Sequence, residues 1–129
     1  MQTVANLLFI FLLSLALTHE LDAIRRREWW IFIPPGKMDE EKAFQIFTLA
    51  HIPIFMVILW LLAYPSAIVT FWFQVIVSGF YIIHKFLHDS AQNYPHIDFN
   101  TKFSKRLINV MALVGLIQLI LVLGLRFLG

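Results

Sequence analysis

The sequence predicts an all-α membrane protein, a single four-helix transmembrane bundle over residues 1–129 with both termini on the non-cytoplasmic side. Three observations carry that expectation. The 129-residue chain is 60% hydrophobic and 14% charged, with about half the charge of an ordinary soluble domain. Four apolar stretches each reach the ~20 residues that cross a bilayer. Nine of the ten Lys and Arg residues lie in or beside just two of the connections between those stretches. The mean hydropathy of +0.77 agrees with a chain solvated mainly by lipid.

The same composition removes several classes of function. Disorder needs low hydrophobicity and high net charge. Without cysteine there is no disulfide scaffold, no thiolate metal site and no thiol nucleophile. A net charge of +2 gives no reason to expect nucleic acid as a partner.

The first span, 4–24, lacks the basic start and the small-residue cleavage site of a signal peptide. It ends in His19, Glu20 and Asp22 followed by Arg25, Arg26 and Arg27, so a retained helix is expected. Residues 28–33 are amphiphilic and too short to span, and are expected to lie along the inner interface, with Trp29 and Trp30 in an aromatic belt. Pro34, Pro35 and Gly36 turn the chain. Asp39, Glu40 and Glu41 then suit the positive end of the second helix, which spans 43–63. Only Tyr64, Pro65 and Ser66 separate it from the third span, 67–88, so these two form an antiparallel hairpin. The fourth span is 107–128. Both charged connections, 25–42 and 89–106, follow odd-numbered spans and share a face. By the positive-inside rule that face is cytoplasmic, in the inner (plasma) membrane.

Ionisable side chains inside membrane helices are costly and mark functional sites. At a rise of ~1.5 Å per residue, His19 lies roughly 8 Å inside the cytoplasmic boundary, His51 roughly 12 Å and His84 roughly 8 Å. His88 is one turn nearer the surface. His19 and Asp22 share one helix face, about 60° apart, and His84 and His88 another, about 40° apart. Glu20 is about 160° from Asp22 and is expected to support the site or pair with a loop arginine. Pro53 frees the Leu49 carbonyl beside His51. His96 reads as a solvated loop residue, and Gln118, deeper in span four, as an interhelical hydrogen bond.

Four imidazoles near one level beside a carboxylate predict a metal centre, with His19, Asp22, His51, His84 and His88 as ligands and Asp22 and Glu20 as catalytic groups. Lys85 follows His84 where a zinc-protease helix needs Glu, and the carboxylates of a di-iron bundle are missing. What remains is a His-rich zinc or iron site, acting on a lipid, isoprenoid or quinone-like substrate dissolved in the membrane.

The segment Thr18-His19-Glu20-Leu21-Asp22, with its later membrane histidines, resembles the small bacterial HXXEE-type multi-pass membrane proteins. Asp22 stands at the first Glu of that pattern and Ala23 at the second. His51, His84 and His88 resemble their additional histidines. The pair His84 and His88 also resembles the His-x-x-x-His boxes of membrane desaturases, over those five residues only. Neither resemblance implies a substrate.

Other readings stay open. His51 with His84, or His19 with His84, could ligate a b-type haem in an electron-transfer or anchor subunit. The polar residues could also form a non-catalytic core in a subunit of a larger complex. There is no GxxxG motif, and an oligomer stays open.

Overall fold

The computed structural model describes residues 1–64, 66–91, 93, 96–97 and 101–128. Among them the chain forms five helices and no strand: α1 (Gln2–Arg25), α2 (Trp29–Phe32), α3 (Glu40–Ala63), α4 (Ala67–Ala91) and α5 (Lys102–Phe127). All but α2 are long and apolar enough to cross a membrane. The first three expected spans fall inside these helices, and the fourth runs one residue past the end of α5, where Leu128 is the C-cap. That helix starts five residues before the apolar stretch, because Thr101 accepts the Ser104 amide at 3.1 Å and caps the helix there. Asp39 caps α3 in the same way, accepting the Lys42 amide at 2.9 Å, with Glu40 and Glu41 in the first turn. Pro65, in the expected hairpin turn, lies outside the described residues.

Helices α4 and α5 pack along their length, and α1 lies against α5. Gly115 makes the α4–α5 approach close: a Cβ there would sit 3.0 Å from the Ser78 carbonyl oxygen. Leu12, Met111, Ser78 and Gln118 are fully buried in this three-helix core. Gln118 donates to the Gln74 side chain at 2.9 Å, the expected interhelical bond, and Gln74 reaches Asn6 of α1 at 3.4 Å. Polar groups in hydrocarbon must find partners in the protein, so this amide chain ties three helices together in the half of the bundle nearer the N-terminus.

Helix α3 stands apart. Only Ala43 in it is buried. Its half-covered residues, Phe44, Phe47, His51, Phe55, Ile58 and Leu61, recur at helical spacing and form one line facing the bundle. Its first turns are held by α2, where Trp29, Trp30, Ala43 and Ile97 are buried together with Phe44 and Phe47 packed on them. The two tryptophans are therefore not lipid-facing belt residues. They are core, because α2 packs against the first turns of α3.

Candidate metal centre

Three imidazoles meet at one point. His19 comes from α1, and His84 and His88 from successive turns of α4. The Nε2 of His84 is 2.9 Å from that of His19 and 2.9 Å from that of His88. All three rings are buried. A ring nitrogen carries either one proton or one lone pair, so His84 Nε2 cannot make a full hydrogen bond to both neighbours. Three lone pairs turned toward one cation have no such conflict.

Glu28 completes the group. Its Oε1 lies 3.2 Å from His88 Nε2 and 4.0 Å from His84 Nε2, and its Oε2 lies 3.5 Å from His19 Nε2. One ligand atom from each of His19, Glu28, His84 and His88 falls within 4.8 Å of the others, an arrangement that could hold a metal ion. Glu28 reaches the site through the backbone. Arg27 adopts the left-handed region at φ +60°, uncommon for a side chain other than Gly or Asn. The chain reverses there, and the Glu28 amide donates to the Ala23 carbonyl at 3.1 Å. Burial pushes the Glu28 carboxyl up to about 7, against the opposing pull of His19 and His51. A carboxylate so far out of water is one that a cation would stabilise strongly.

Of the expected ligands, the structure brings together His19, His84 and His88. It does not bring His51 or Asp22 into that group. His51 Nε2 lies 2.9 Å from Glu20 Oε2, and its Nδ1 donates to the Phe47 carbonyl at 2.8 Å. The depth of His51 is close to that of the other histidines, but α3 stands outside the three-helix core and cannot carry the ring inward. Asp22 Oδ1 accepts from Arg26 Nε at 3.2 Å, while its buried Oδ2 has no hydrogen-bond partner among the described residues. Asp22 is close enough to act electrostatically on both His19 and His88. Glu20 faces His51 and not a loop arginine. His96 is exposed and rests against Trp30, ring centroids 6.4 Å apart.

Glu28 is the residue that sequence reasoning missed. In sequence it stands in the amphiphilic stretch 28–33 that follows the arginines. Its signal was a lone carboxylate set directly before Trp29 and Trp30, next to the end of the span that carries His19.

The pattern of DUF6713, a family of unknown function, matches residues 5–125. The chain belongs to that family. No curated protein and no solved structure matches it. The matched region of this DUF6713 chain contains all four residues of the His/Glu group, together with Glu20, Asp22 and His51.

Proposed function

We propose that this protein is an integral membrane metalloenzyme in which His19, His84, His88 and Glu28 hold one zinc or iron ion, acting on a lipid-like substrate from the cytoplasmic side of the plasma membrane. The observation that carries the reading is the convergence of three buried Nε2 atoms and a buried carboxylate within 4.8 Å. With Zn–N bonds of about 2.0–2.1 Å, tetrahedral ligand nitrogens stand roughly 3.3 Å apart. The 2.9 Å separations need only a small outward movement to accept the ion. A cation held by these four residues would supply a Lewis acid for a substrate oxygen. The three histidines form the rigid part of the site, because they sit on α1 and α4, each of which packs on α5. Glu28 sits on a turn, so it is the ligand best able to give way to substrate or accept a proton from it. Asp22 supports the centre electrostatically from the turn below His19.

The same geometry disfavours the haem alternative. Axial haem ligands approach iron from opposite sides of a porphyrin, whereas these nitrogens are crowded onto one point. His51, the other candidate, already uses both ring nitrogens. The membrane reading rests on the four apolar helices, and the orientation on the distribution of Lys and Arg. Kinship with the HXXEE-type proteins would have His19 as the shared histidine, with Asp22 beside the site rather than in it.

Elemental analysis of the purified protein tests the proposal directly. Close to one equivalent of zinc or iron per chain, lost in His84→Ala, is the expected result. A wild-type protein that purifies without metal and takes none up on dialysis would overturn it.

A further inference from the structure

Between α3 and α4 lies an apolar groove of about 440 Å³, lined by Val57 and Leu61 on one side and by Trp72, Phe73, Ile76 and Val77 on the other. Its size is that of a ligand site, and its walls lie within two membrane-spanning segments. It exists because α3 touches α4 only lightly. Along α4, Val77 precedes His84 by seven residues, two turns or ~10 Å, and lies only about 20° round from it. The inner wall of the groove is thus in line with the metal centre. Along α3, Val57 and Leu61 lie six and ten residues beyond His51, or ~9 and ~15 Å.

His51 and Glu20 form a polar pair toward the start of α3, beyond the inner end of the groove and about 80–120° round that helix from Leu61 and Val57. They are 2.9 Å apart, and their side chains are 19% and 28% exposed, unlike the sealed His/Glu group. Glu20 follows His19 directly in sequence. It acts electrostatically on Tyr81 of α4 and on Glu28. The pair therefore stands among α1, α3 and α4, next to the centre and open to a ligand. His51 Nδ1 donates to the Phe47 carbonyl and its Nε2 is held by Glu20 Oε2, so the atom of the pair left open to a ligand is the second oxygen of the Glu20 carboxyl.

We propose that the α3–α4 groove binds the hydrocarbon tail of a membrane amphiphile whose polar head is received at the Glu20 carboxyl, which His51 holds in place, and presented to the metal centre. Hydrocarbon is the one occupant that needs no polar partner on these walls. A tail of ~15 Å laid along α3 from His51 would end at Leu61. The proposal rests on the metalloenzyme reading for the chemistry of the head, while the tail site follows from the groove.

The test uses the full chain in detergent, both metal-loaded and metal-stripped. The probe is a long-chain alkyl hydroxamic acid with a diazirine at the chain end, and acetohydroxamic acid serves as the tail-less competitor. Crosslinks mapped by peptide mass spectrometry are expected on Val57, Leu61 or Ile76. Excess unlabelled long-chain compound should displace them, and acetohydroxamic acid should not. Val77→Trp, which fills the groove, should cut labelling about fivefold or more by removing buried apolar contact, with metal content unchanged. Leu61→Trp makes the same test if that variant does not fold. Labels spread evenly over lipid-facing positions such as Leu59 and Ile120, and not displaced by competitor, would overturn the proposal. Metal content is measured on the same samples. Competed groove labelling in a protein that binds no metal would sustain the tail site and sink the metalloenzyme reading alone.

Discussion

The Nε2 atoms of His19 and His84 lie 2.9 Å apart across the contact between α1 and α4. These residues are separated by 65 positions in sequence, and the contact between their rings joins the first membrane helix to the third. With His88 one turn along α4 and Glu28 on the reversal after α1, it belongs to a group that is at once a helix–helix contact and an arrangement that could hold a metal ion. Bound metal would therefore add to the stability of the bundle as well as to its chemistry.

Replacing His84 by Ala should remove the central nitrogen of the group. Metal content measured by mass spectrometry is expected to fall from about one equivalent to near zero. Wild-type protein, but not the variant, should gain thermal stability on adding zinc in detergent, as expected for a ligand that binds only the folded chain. Equal metal content in both proteins would remove His84 from the site.

His51→Ala should behave differently. The ring bonds to Glu20 and to the Phe47 carbonyl and lies outside the His/Glu group. Stoichiometric metal is expected to remain in this variant, while hydrogen exchange in α3 rises because its polar tie to α1 is gone. Loss of metal in His51→Ala would show that α3 moves inward to serve as a ligand arm.

The raised pKa of Glu28 fixes the sign of a pH effect. Its folded value, about 7, stands above its ordinary value of 4.5. Between these values the folded state holds a proton that the unfolded state has lost, so stability falls as pH rises. Relative to Glu28→Gln, metal-free wild-type protein should therefore lose at most about 3 kcal/mol of stability between pH 5 and pH 8. The histidines around the carboxyl are common to both proteins and drop out of that difference. With metal bound the slope should reverse, since the cation needs the ionised carboxylate. Thermal melts of both forms across this range would check each sign.

Topology can be read with single cysteines, because the chain has none of its own. Lys37→Cys and Lys102→Cys should react with a membrane-impermeant maleimide only from the cytoplasmic side. Labelling of either from outside intact cells would invert the orientation, and with it the side from which the metal is loaded.

Gly115→Ala should loosen the α4–α5 pair. The added Cβ would meet the Ser78 carbonyl oxygen at 3.0 Å, a backbone atom that cannot swing away. A loss of about 1–3 kcal/mol is expected for such overpacking, seen as a lower melting temperature in detergent. Metal stoichiometry should be unchanged, since the contact lies two turns from His84.

The sequence by itself determined the elements. Apolar length marks the four long helices, and Asp39 with its acidic neighbours marks the start of α3. Depth, counted along each helix, brought His19, His84 and His88 to one level. Depth is a one-dimensional quantity, however, and the rise per residue places His51 beside them just as well. Only the tertiary structure decided which rings meet, because α1, α4 and α5 pack together while α3 stands outside. In lipid no hydrophobic force drives an apolar helix inward, so periodicity does not say which of four apolar helices belongs to the core. Glu28 was hidden for a second reason. It reaches the centre through the left-handed turn at Arg27, a conformation that an arginine does not announce and that surrounding contacts must impose.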